Sequence, residues 1–199
     1  MNYTGPRVKL SRRLGVPLTP KAVKVMIHKP LPPGQHGGRR RRALSDYGKQ
    51  LLEKQKLKSQ YNVNERQLRN YYKSAKQLKG NTGENLIALL ESRLDAVVLR
   101  AGLTPTIYSA RQLVRHGHVT VNDKKIDLPS YRVAVSDVVS VKEKSRAIPC
   151  VQEALQTAVV PAYIELNKAN FAGRLVKIPA REEVPVQCDI PLVVEFYSR

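Results

Sequence analysis

The chain has 199 residues with a formal net charge of +19 at pH 7, and 42% of its residues are hydrophobic. This length allows one or two small domains, and the apolar content excludes a chain that is disordered throughout. Residues 1–80 hold 20 Lys and Arg against 3 Asp and Glu, whereas residues 81–199 hold 15 against 13. Because close packing of like charges opposes folding, this asymmetry indicates that a polyanion binds the first 80 residues, and a nucleic acid fits best.

The sequence contains no pattern typical of a membrane or secreted protein. No apolar run approaches the roughly 18 residues of a membrane span, and residues 1–13 lack the apolar segment of a secretory signal. Cys150 and Cys188 are the two cysteines, and their separation matches neither a disulfide framework nor a zinc motif. We expect both to be reduced thiols that pack as small buried hydrophobes.

Residues 1–43 are predicted to form an extended basic arm. Six prolines interrupt any long helix or central strand, and a run of four arginines at residues 39–42 is not balanced by any acid. Such a stretch buries little apolar surface, so alone it should be largely unfolded and should order on phosphates. A solvated charge run and a nuclear import signal are the alternatives.

Two basic helices are predicted to follow the arm. Ser45 can cap a helix that runs to about Ser59, and Asn64 with Glu65 can start a second one. The apolar stripe of the second helix is formed by Leu68, Tyr71, Tyr72, Ala75 and Leu78. Tyr71 and Tyr72 could stack on bases, but aromatic residues on such a stripe more often belong to a core.

From Glu84 the pattern changes to a dense apolar series that ends at Gly102, and it predicts one bent helix or two short ones. Ser109 can cap a short helix that ends at His116, with Gly117 as its C-terminal glycine. Val119–Asn122 is predicted to be a strand, and Asn122 with Asp123 can form a hairpin turn.

The remaining elements alternate between strand and helix predictions. Strands are expected at Ile126 and at residues 133–135 and 138–141, and a helix is expected at about 151–157. Strand or extended segments are predicted at residues 163–166, 175–178 and 192–197. The predicted fold class is therefore α+β, with a helical basic part followed by helices packed on a small antiparallel sheet.

The helix from Ser109 to His116 carries a candidate binding site. Ala110, Leu113 and Val114 share one face, and Arg111 and Arg115 lie four residues apart on the flank of that face. Arginine forks suit phosphate oxygens, so the two side chains could hold an RNA backbone, although these residues alone narrowly favour a solvated helix face. His116 and His118 have no acidic or cysteine neighbour at ligand spacing, which favours a structural or RNA-contact role over metal binding.

Two blocks of this region resemble the S-four RNA-binding module, namely residues 93–95 (RLD) and residues 110–122 (ARQLVRHGHVTVN). Other blocks, in order along the chain, resemble the small-subunit ribosomal protein S-four family: residues 32–37 (PPGQHG), 53–57 (EKQKL), 65–69 (ERQLR), 89–95 (LLESRLD), 127–133 (DLPSYRV) and 195–199 (EFYSR). These blocks extend from the arm to the last residue. Together they are specific, whereas each alone is weak.

The resemblance implies a structural constituent of the small ribosomal subunit that binds small-subunit rRNA at a multi-helix junction and nucleates assembly. It also implies contacts with neighbouring ribosomal proteins and with mRNA at its entrance, an influence on translational accuracy, and in some members repression of the protein's own mRNA. The expected location is the cytoplasm, within the ribosome, and an organellar ribosome is not excluded by the sequence. No membrane partner is expected.

The family resemblance also suggests the domain organisation and the absence of cofactors. We expect an arm at 1–43, a helical basic domain at 44–88 that is joined by about 180–199, and an S-four domain with its extension at 89–179. Some relatives hold zinc through cysteines in the arm, but residues 1–44 contain no cysteine, so we predict neither zinc nor any other cofactor.

The charge pattern and the resemblance together give one set of candidate RNA contacts. The predicted RNA-binding residues are Arg7, Arg12, Arg13, Lys29, His36, Arg39, Arg40, Arg41, Arg42, Lys49, Lys54, Lys56, Lys58, Arg66, Arg69, Lys73, Arg111, Arg115, His116 and His118.

Two other classes of function are compatible with parts of the sequence. An RNA-modifying enzyme such as a pseudouridine synthase can carry the same module, but Asp95, Asp127 and Asp137 are scattered and no paired catalytic groups are evident. We therefore expect no enzymatic activity. A DNA-compacting or messenger-binding regulator is permitted by basic charge alone.

Overall fold

The structure is a computed structural model that describes residues 3–38 and 43–198, and it confirms the predicted α+β class. The arginine run at 39–42 lies outside the described residues. The chain divides into two compact units: Met1–Gly83 with Val186–Arg199 form unit 1, and Glu84–Pro185 form unit 2. No helix of the described ranges combines the length and the apolar character that crossing a membrane requires.

Unit 1 is helical. Its helices are α1 (Arg7–Leu14), α2 (Pro20–His28), α3 (Asp46–Gln60), α4 (Glu65–Gln77) and, from the far end of the chain, α9 (Ile190–Ser198). The two predicted caps are confirmed: Ser45 accepts a hydrogen bond from the Gly48 N–H, and Asn64 forms a capping box with Gln67.

The prediction of an extended conformation was wrong for the residues of α1 and α2. The prolines that argued against a long helix instead mark the starts of two short ones, since Pro6 is the N-cap of α1 and Pro20 is the first residue of α2. Gly15 ends α1 with a φ of 72°. Leu14 and Ala22 are buried, so this part of the chain has an apolar core of its own.

The prediction of a strand or extended segment at residues 192–197 was also wrong, because these residues belong to α9. Ile190 and Val193 are buried at helical spacing, and the Tyr197 ring stacks on Tyr72 of α4 with centroids 5.1 Å apart. A short apolar run in a sequence is compatible with either a strand or a buried helix. Here the packing of these residues against α3 and α4 favours the helix.

Unit 2 combines helices with one sheet. The apolar series from Glu84 forms two helices, α5 (Thr82–Glu91) and α6 (Leu94–Arg100); α7 (Ile107–Arg115) and α8 (Pro149–Gln156) follow. The strands are β1 (Val119–Val121), β2 (Lys124–Lys125), β3 (Val138–Val141), β4 (Ile164–Asn167) and β5 (Ala172–Leu175). Short 3₁₀ turns lie at Glu143–Ser145 and Arg181–Glu183.

The five strands form an antiparallel sheet in the order β2-β1-β3-β5-β4. The predicted hairpin is confirmed: Asn122 and Asp123 have φ values of 48° and 62°, as both central residues of a type I′ turn require. The strands expected at Ile126 and at 133–135 are absent from the described sheet. There Arg132 forms an isolated bridge with Arg93, and the Val133 N–H donates to the Ser92 carbonyl.

Other details of the sequence prediction also change. Residues 176–178 lie beyond β5 and are not strand, because the paired segment ends at Leu175. Leu78 was assigned to the apolar stripe of α4, but it follows the helix and is exposed. Cys150 and Cys188 are half-buried thiols rather than fully buried ones.

Candidate nucleic-acid interface

Helix α4, in unit 1, has a basic stripe on a face of the helix that its apolar residues do not occupy. Leu68, Tyr72 and Ala75 are buried, whereas the four basic residues of the helix are exposed. We call these four the α4 stripe: Arg66, Arg69, Lys73 and Lys76. Their spacing of three and four residues places them within about 80° of one another around the helix axis. Four cations on one ridge match the spacing of charge along a nucleic-acid backbone better than they match a single acidic group.

Three of the four lysines of α3 do not share this exposure. Lys54 is only 5% exposed, its ammonium lies 3.0 Å from Glu65 Oε1, and it sits 4.4 Å from the centroid of the Phe196 ring. Lys58 lies 3.3 Å from the other oxygen of Glu65. A phosphate could reach Lys54 only if Lys54 left two internal partners, so we omit it from the revised set of predicted RNA contacts.

Glu65 organises this part of unit 1. Its carboxylate accepts hydrogen bonds from Lys54, from Lys58 and from the Tyr197 hydroxyl, which is 2.8 Å away. Burial alone would raise the pKa of Glu65, but the hydrogen bonds from Tyr197 and Lys54 and the charges of both lysines hold that pKa below its ordinary value. Glu65 thus joins α3, α4 and α9 and neutralises cations that would otherwise repel one another.

Two further predicted contacts on α3 have acidic partners one turn away. Lys56 lies 2.6 Å from Glu53 and is partly buried, whereas Lys49 lies 3.0 Å from Asp46 in an exposed pair. Exposed pairs of this kind contribute little to stability, so Lys49 can exchange its partner for a phosphate at small cost.

The predicted contacts in the first 38 residues differ in role. Arg12 is a structural link, because its guanidinium donates to the backbone carbonyls of Lys29 and Leu31 at 2.8–3.1 Å. The side chains of Arg7, Arg13, Lys29 and His36 are exposed. Arg12 therefore positions the segment after α2, where Lys29 lies, and the exposed residues stay predicted RNA contacts.

In unit 2 the candidate site is the helix–turn–strand corner formed by α7, Gly117 and β1. The cap of α7 is Thr106 and not Ser109 as predicted: the Thr106 and Ser109 side chains each accept the other's backbone N–H in a capping box. Ala110, Leu113 and Val114 are buried as predicted. Gly117 has a φ of 71°, a conformation that favours glycine, whereas a Cβ there would meet only the flexible end of the Lys125 side chain, so the turn is what requires glycine.

The two arginines of the corner have different surroundings. Arg115 is exposed. Arg111 is partly buried, and its Nη1 lies 3.7 Å from Oδ2 of Asp95, which is also held by Arg93 through two hydrogen bonds of 2.6 and 2.9 Å. Burial raises the pKa of the Asp95 carboxyl above its ordinary value, although the Arg93 and Arg111 guanidiniums oppose that shift. Arg93 and Asp95 belong to one of the S-four blocks of the sequence, but this pairing was not predicted from it.

The corner also contains basic residues outside the predicted set of RNA contacts. Lys124 and Lys125 on the β2 hairpin are both exposed, and the Lys125 side chain passes over Gly117. The sequence signal that could have identified these two residues was a Lys-Lys pair directly after a hairpin turn. His116 is exposed, and Nδ1 of the partly buried His118 lies 2.8 Å from the Ser145 hydroxyl. Within the described ranges, no group of three or more acidic, His and Cys residues is arranged to hold a metal ion.

Two family models match consecutive parts of the chain. The family model described as the Ribosomal protein S4/S9 N-terminal domain matches residues 2–91, and that of the S4 domain, the S-four module named above, matches residues 92–139. These matches confirm the resemblance inferred from the sequence. The second match includes α6, α7 and the β1–β2 hairpin, and therefore the whole corner.

Individual relatives match the full length of the chain. It is 49% identical over 203 residues to small ribosomal subunit protein uS4 of Thermobifida fusca, with all of both chains covered. It is 50% identical to uS4 of Streptomyces avermitilis, covering 100% of this chain and 99% of the relative. It is 47% identical over 198 residues to uS4 of Geobacillus kaustophilus, with 99% and 98% covered.

Identity of this extent over the whole chain decides the classification. The family consists of structural RNA-binding proteins rather than enzymes, so the prediction that the protein is not an enzyme is confirmed. The chain belongs to the uS4 family of small ribosomal subunit proteins.

Proposed function

We propose that this protein binds small-subunit rRNA through the α4 stripe and the exposed cations of the α7 corner, and that it nucleates assembly at a multi-helix junction of that RNA. The observation that carries the proposal is the α4 stripe, whose four cations are exposed, whereas Lys54 is buried against Glu65. Full-length similarity to uS4 proteins supports the same conclusion.

The proposed mechanism combines charge neutralisation with recognition of RNA shape. Lys and Arg replace counterions on phosphates, so neutralising ~6–10 phosphates should lower the affinity by ~10³–10⁵ between ~50 and ~200 mM salt. Side chains cannot enter the narrow major groove of A-form RNA, so specificity comes from how the RNA helices are arranged in space. Two separate basic surfaces, one on each unit, suit a junction with several helices.

A titration with RNA fragments tests the binding proposal. The full-length protein is mixed with a folded transcript of the junction-containing part of small-subunit rRNA, at several salt concentrations. We expect tight binding with a steep negative salt slope. Binding that is absent at moderate salt, or unaffected by concentrated salt, would refute the proposal.

The DNA-binding alternative is tested by competition in the same assay. Duplex DNA of equal length is added at matched salt. We expect the junction RNA to win, because the DNA offers phosphates without the required arrangement of helices. Equal affinity for the two would favour a general nucleic-acid-compacting protein.

The role in assembly is tested by the order of addition. We propose that this protein joins naked rRNA before most other small-subunit proteins and contacts some of them in the finished subunit. Reconstitution without it should yield particles that lack several other proteins, and late addition should restore them poorly. Complete particles formed in its absence would contradict nucleation.

The contacts with mRNA, the influence on accuracy and the repression of its own mRNA rest on family resemblance. Photo-crosslinking of mRNA on assembled subunits tests the first, misreading by ribosomes with α4-stripe variants tests the second, and a reporter fused to the leader of its own mRNA tests the third. The protein acts within the ribosome, and a cytoplasmic location stays a prediction.

A further inference from the structure

A cavity of about 180 Å³ opens beside the α7 corner of unit 2, between α7 and α8. Its apolar wall is formed by Leu113, Ile148 and Val151, and its polar side by Gln112, His116 and His118. Apolar walls with a few convergent polar groups are typical of sites that bind a small flat ligand.

The size of the cavity limits what can enter. A protein cavity of roughly 150 Å³ takes up benzene, so the volume here is enough for one flat ring system of the size of a nucleobase. Among the components of RNA, the group that fits is a single base.

The polar groups suit the edge of such a base. The Gln112 side chain is exposed and has no hydrogen-bond partner among the described residues, and its amide can donate and accept at the same time. His116 is likewise without a hydrogen-bond partner for its ring in the described parts of the chain, and its ring centroid lies 6.0 Å from that of His118. Imidazole rings can stack on splayed-out bases, and unpaired bases are the usual target of specific RNA recognition.

Basic side chains beside the cavity can contact the backbone of the same nucleotide. Arg115 is exposed on the last turn of α7, and the Lys125 side chain lies over Gly117. We propose that this cavity takes up one unpaired base of the bound RNA, while Arg115 and Lys125 hold the flanking phosphates. This inference rests on the proposed binding of small-subunit rRNA and adds a site that holds a single base.

The first test uses Gln112→Ala in the full-length protein, with Gln152→Ala as the matched control. Gln152 is an exposed glutamine on α8 that does not line the cavity. We expect Gln112→Ala to weaken binding to the rRNA fragment roughly tenfold without changing the salt slope, because the amide that it removes is uncharged. Gln152→Ala should bind like the unmodified protein. Equal affinity of both variants, with normal binding by the unmodified chain, would overturn the cavity proposal and leave the proposed function intact.

The second test identifies the base directly. The rRNA fragment is transcribed with 4-thiouridine or, in a separate reaction, with 6-thioguanosine; it is bound to the unmodified protein and irradiated, and the crosslinked peptides are mapped by mass spectrometry. We expect crosslinks at residues that line the cavity, including Cys150. Cys188, the half-buried thiol of unit 1, controls for the intrinsic reactivity of cysteine. Equal crosslinking of both thiols, or crosslinks at basic residues alone, would overturn the proposal.

Chemical probing of the same complex covers a cytosine or an adenine as the occupant. One unpaired base should have its Watson–Crick edge protected by the unmodified protein and exposed again in the Gln112→Ala complex, while phosphate protections persist. If no base behaves in this way, or if every protection is unaffected by Gln112→Ala, the inference is refuted. A failure of the unmodified protein to bind at all would refute the proposed function instead.

Discussion

Arg111 contacts Asp95: its Nη1 lies 3.7 Å from Oδ2 of a carboxylate that is completely buried. Arg115, one helical turn later, is exposed. Two arginines that are equivalent in the sequence pattern therefore have different tasks, because α7 turns one of them toward the interior of unit 2.

We predict that Arg111→Ala and Arg115→Ala will separate stability from RNA binding. Removing Arg111 weakens the compensation of a buried carboxylate and should lower the free energy of unfolding by about 1–2 kcal/mol. Removing Arg115 should change it by less than about 0.5 kcal/mol while weakening RNA binding. Urea titrations and filter binding measure the two effects. Equal losses of stability in both variants would show that the Arg111–Asp95 contact does not contribute to the free energy of unfolding.

We predict that each cation of the α4 stripe contributes to the salt dependence of RNA binding. Replacing Arg66, Arg69 or Lys73 by Gln should reduce the slope of log affinity against log salt by about 0.7–0.9 for each phosphate that is no longer neutralised. Lys168→Gln removes the same charge from the turn between β4 and β5 in unit 2, at the edge of the sheet farthest from β2, and provides the control. Slopes that fall equally in the control would indicate a general charge effect without a defined phosphate site.

We predict that Lys54→Met will destabilise the protein and leave the salt slope unchanged. The substitution keeps a long side chain against Phe196 but removes the hydrogen bond to Glu65, so the free energy of unfolding should fall by about 1–3 kcal/mol. Urea unfolding measures the loss, and Arg69→Met, an exposed position on α4, is the comparison. A reduced salt slope in Lys54→Met would return Lys54 to the set of phosphate contacts.

We predict that Glu65 makes unit 1 sensitive to acid. Because its pKa is lowered in the folded protein, its contribution to stability is present above its ordinary pKa of 4.5 and is lost as the pH falls through the folded value. Glu65→Gln should therefore lose stability mainly at neutral pH, and the difference from the unmodified protein should shrink below about pH 4.5. Urea titrations between pH 3 and pH 7 give this difference directly. A difference that is constant with pH would contradict the assignment.

The hydroxyl of Tyr197 provides a further test of the same group. Tyr197→Phe keeps the stack on Tyr72 but removes the 2.8 Å hydrogen bond to Glu65, and should cost about 1 kcal/mol. In the double variant with Glu65→Gln, the total loss of stability should be smaller than the sum of the two single losses, since both changes remove the same interaction. Strict additivity in urea unfolding would show that the hydroxyl and the carboxylate are energetically independent.

Local signals in the sequence predicted much of the fold, and the failures have identifiable causes. Ser45 and Asn64 cap α3 and α4 as expected, because side-chain caps act within three residues of the chain. Ser109 was mistaken for the N-cap because it is the third helical residue of a capping box. The N-cap of that box is Thr106, three residues earlier. Helix α9 was misjudged because its apolar run has the length of a strand, and α3, which it packs on, is more than 120 residues away in sequence.

The candidate site was predictable in composition but not in orientation. The exposed cations of α4 follow from their separation from Leu68, Tyr72 and Ala75 in the helical repeat. The inward positions of Lys54 and Arg111 do not follow from the sequence, because they depend on Glu65, Phe196 and Asp95 being brought together by tertiary contacts. Charge alone does not reveal whether a cation balances a carboxylate of its own chain or a phosphate of another molecule.

The placement of α9 affects how a newly made chain folds. Unit 1 draws its helices from both ends of the sequence, and all of unit 2 is synthesised between them. During translation α3 and α4 emerge early, but the stack on Tyr72 and the hydroxyl donor to Glu65 arrive only with Tyr197. Truncated products therefore lack part of the interior that supports the stripe, and a translating ribosome releases a fully stabilised unit 1 only when synthesis has passed α9.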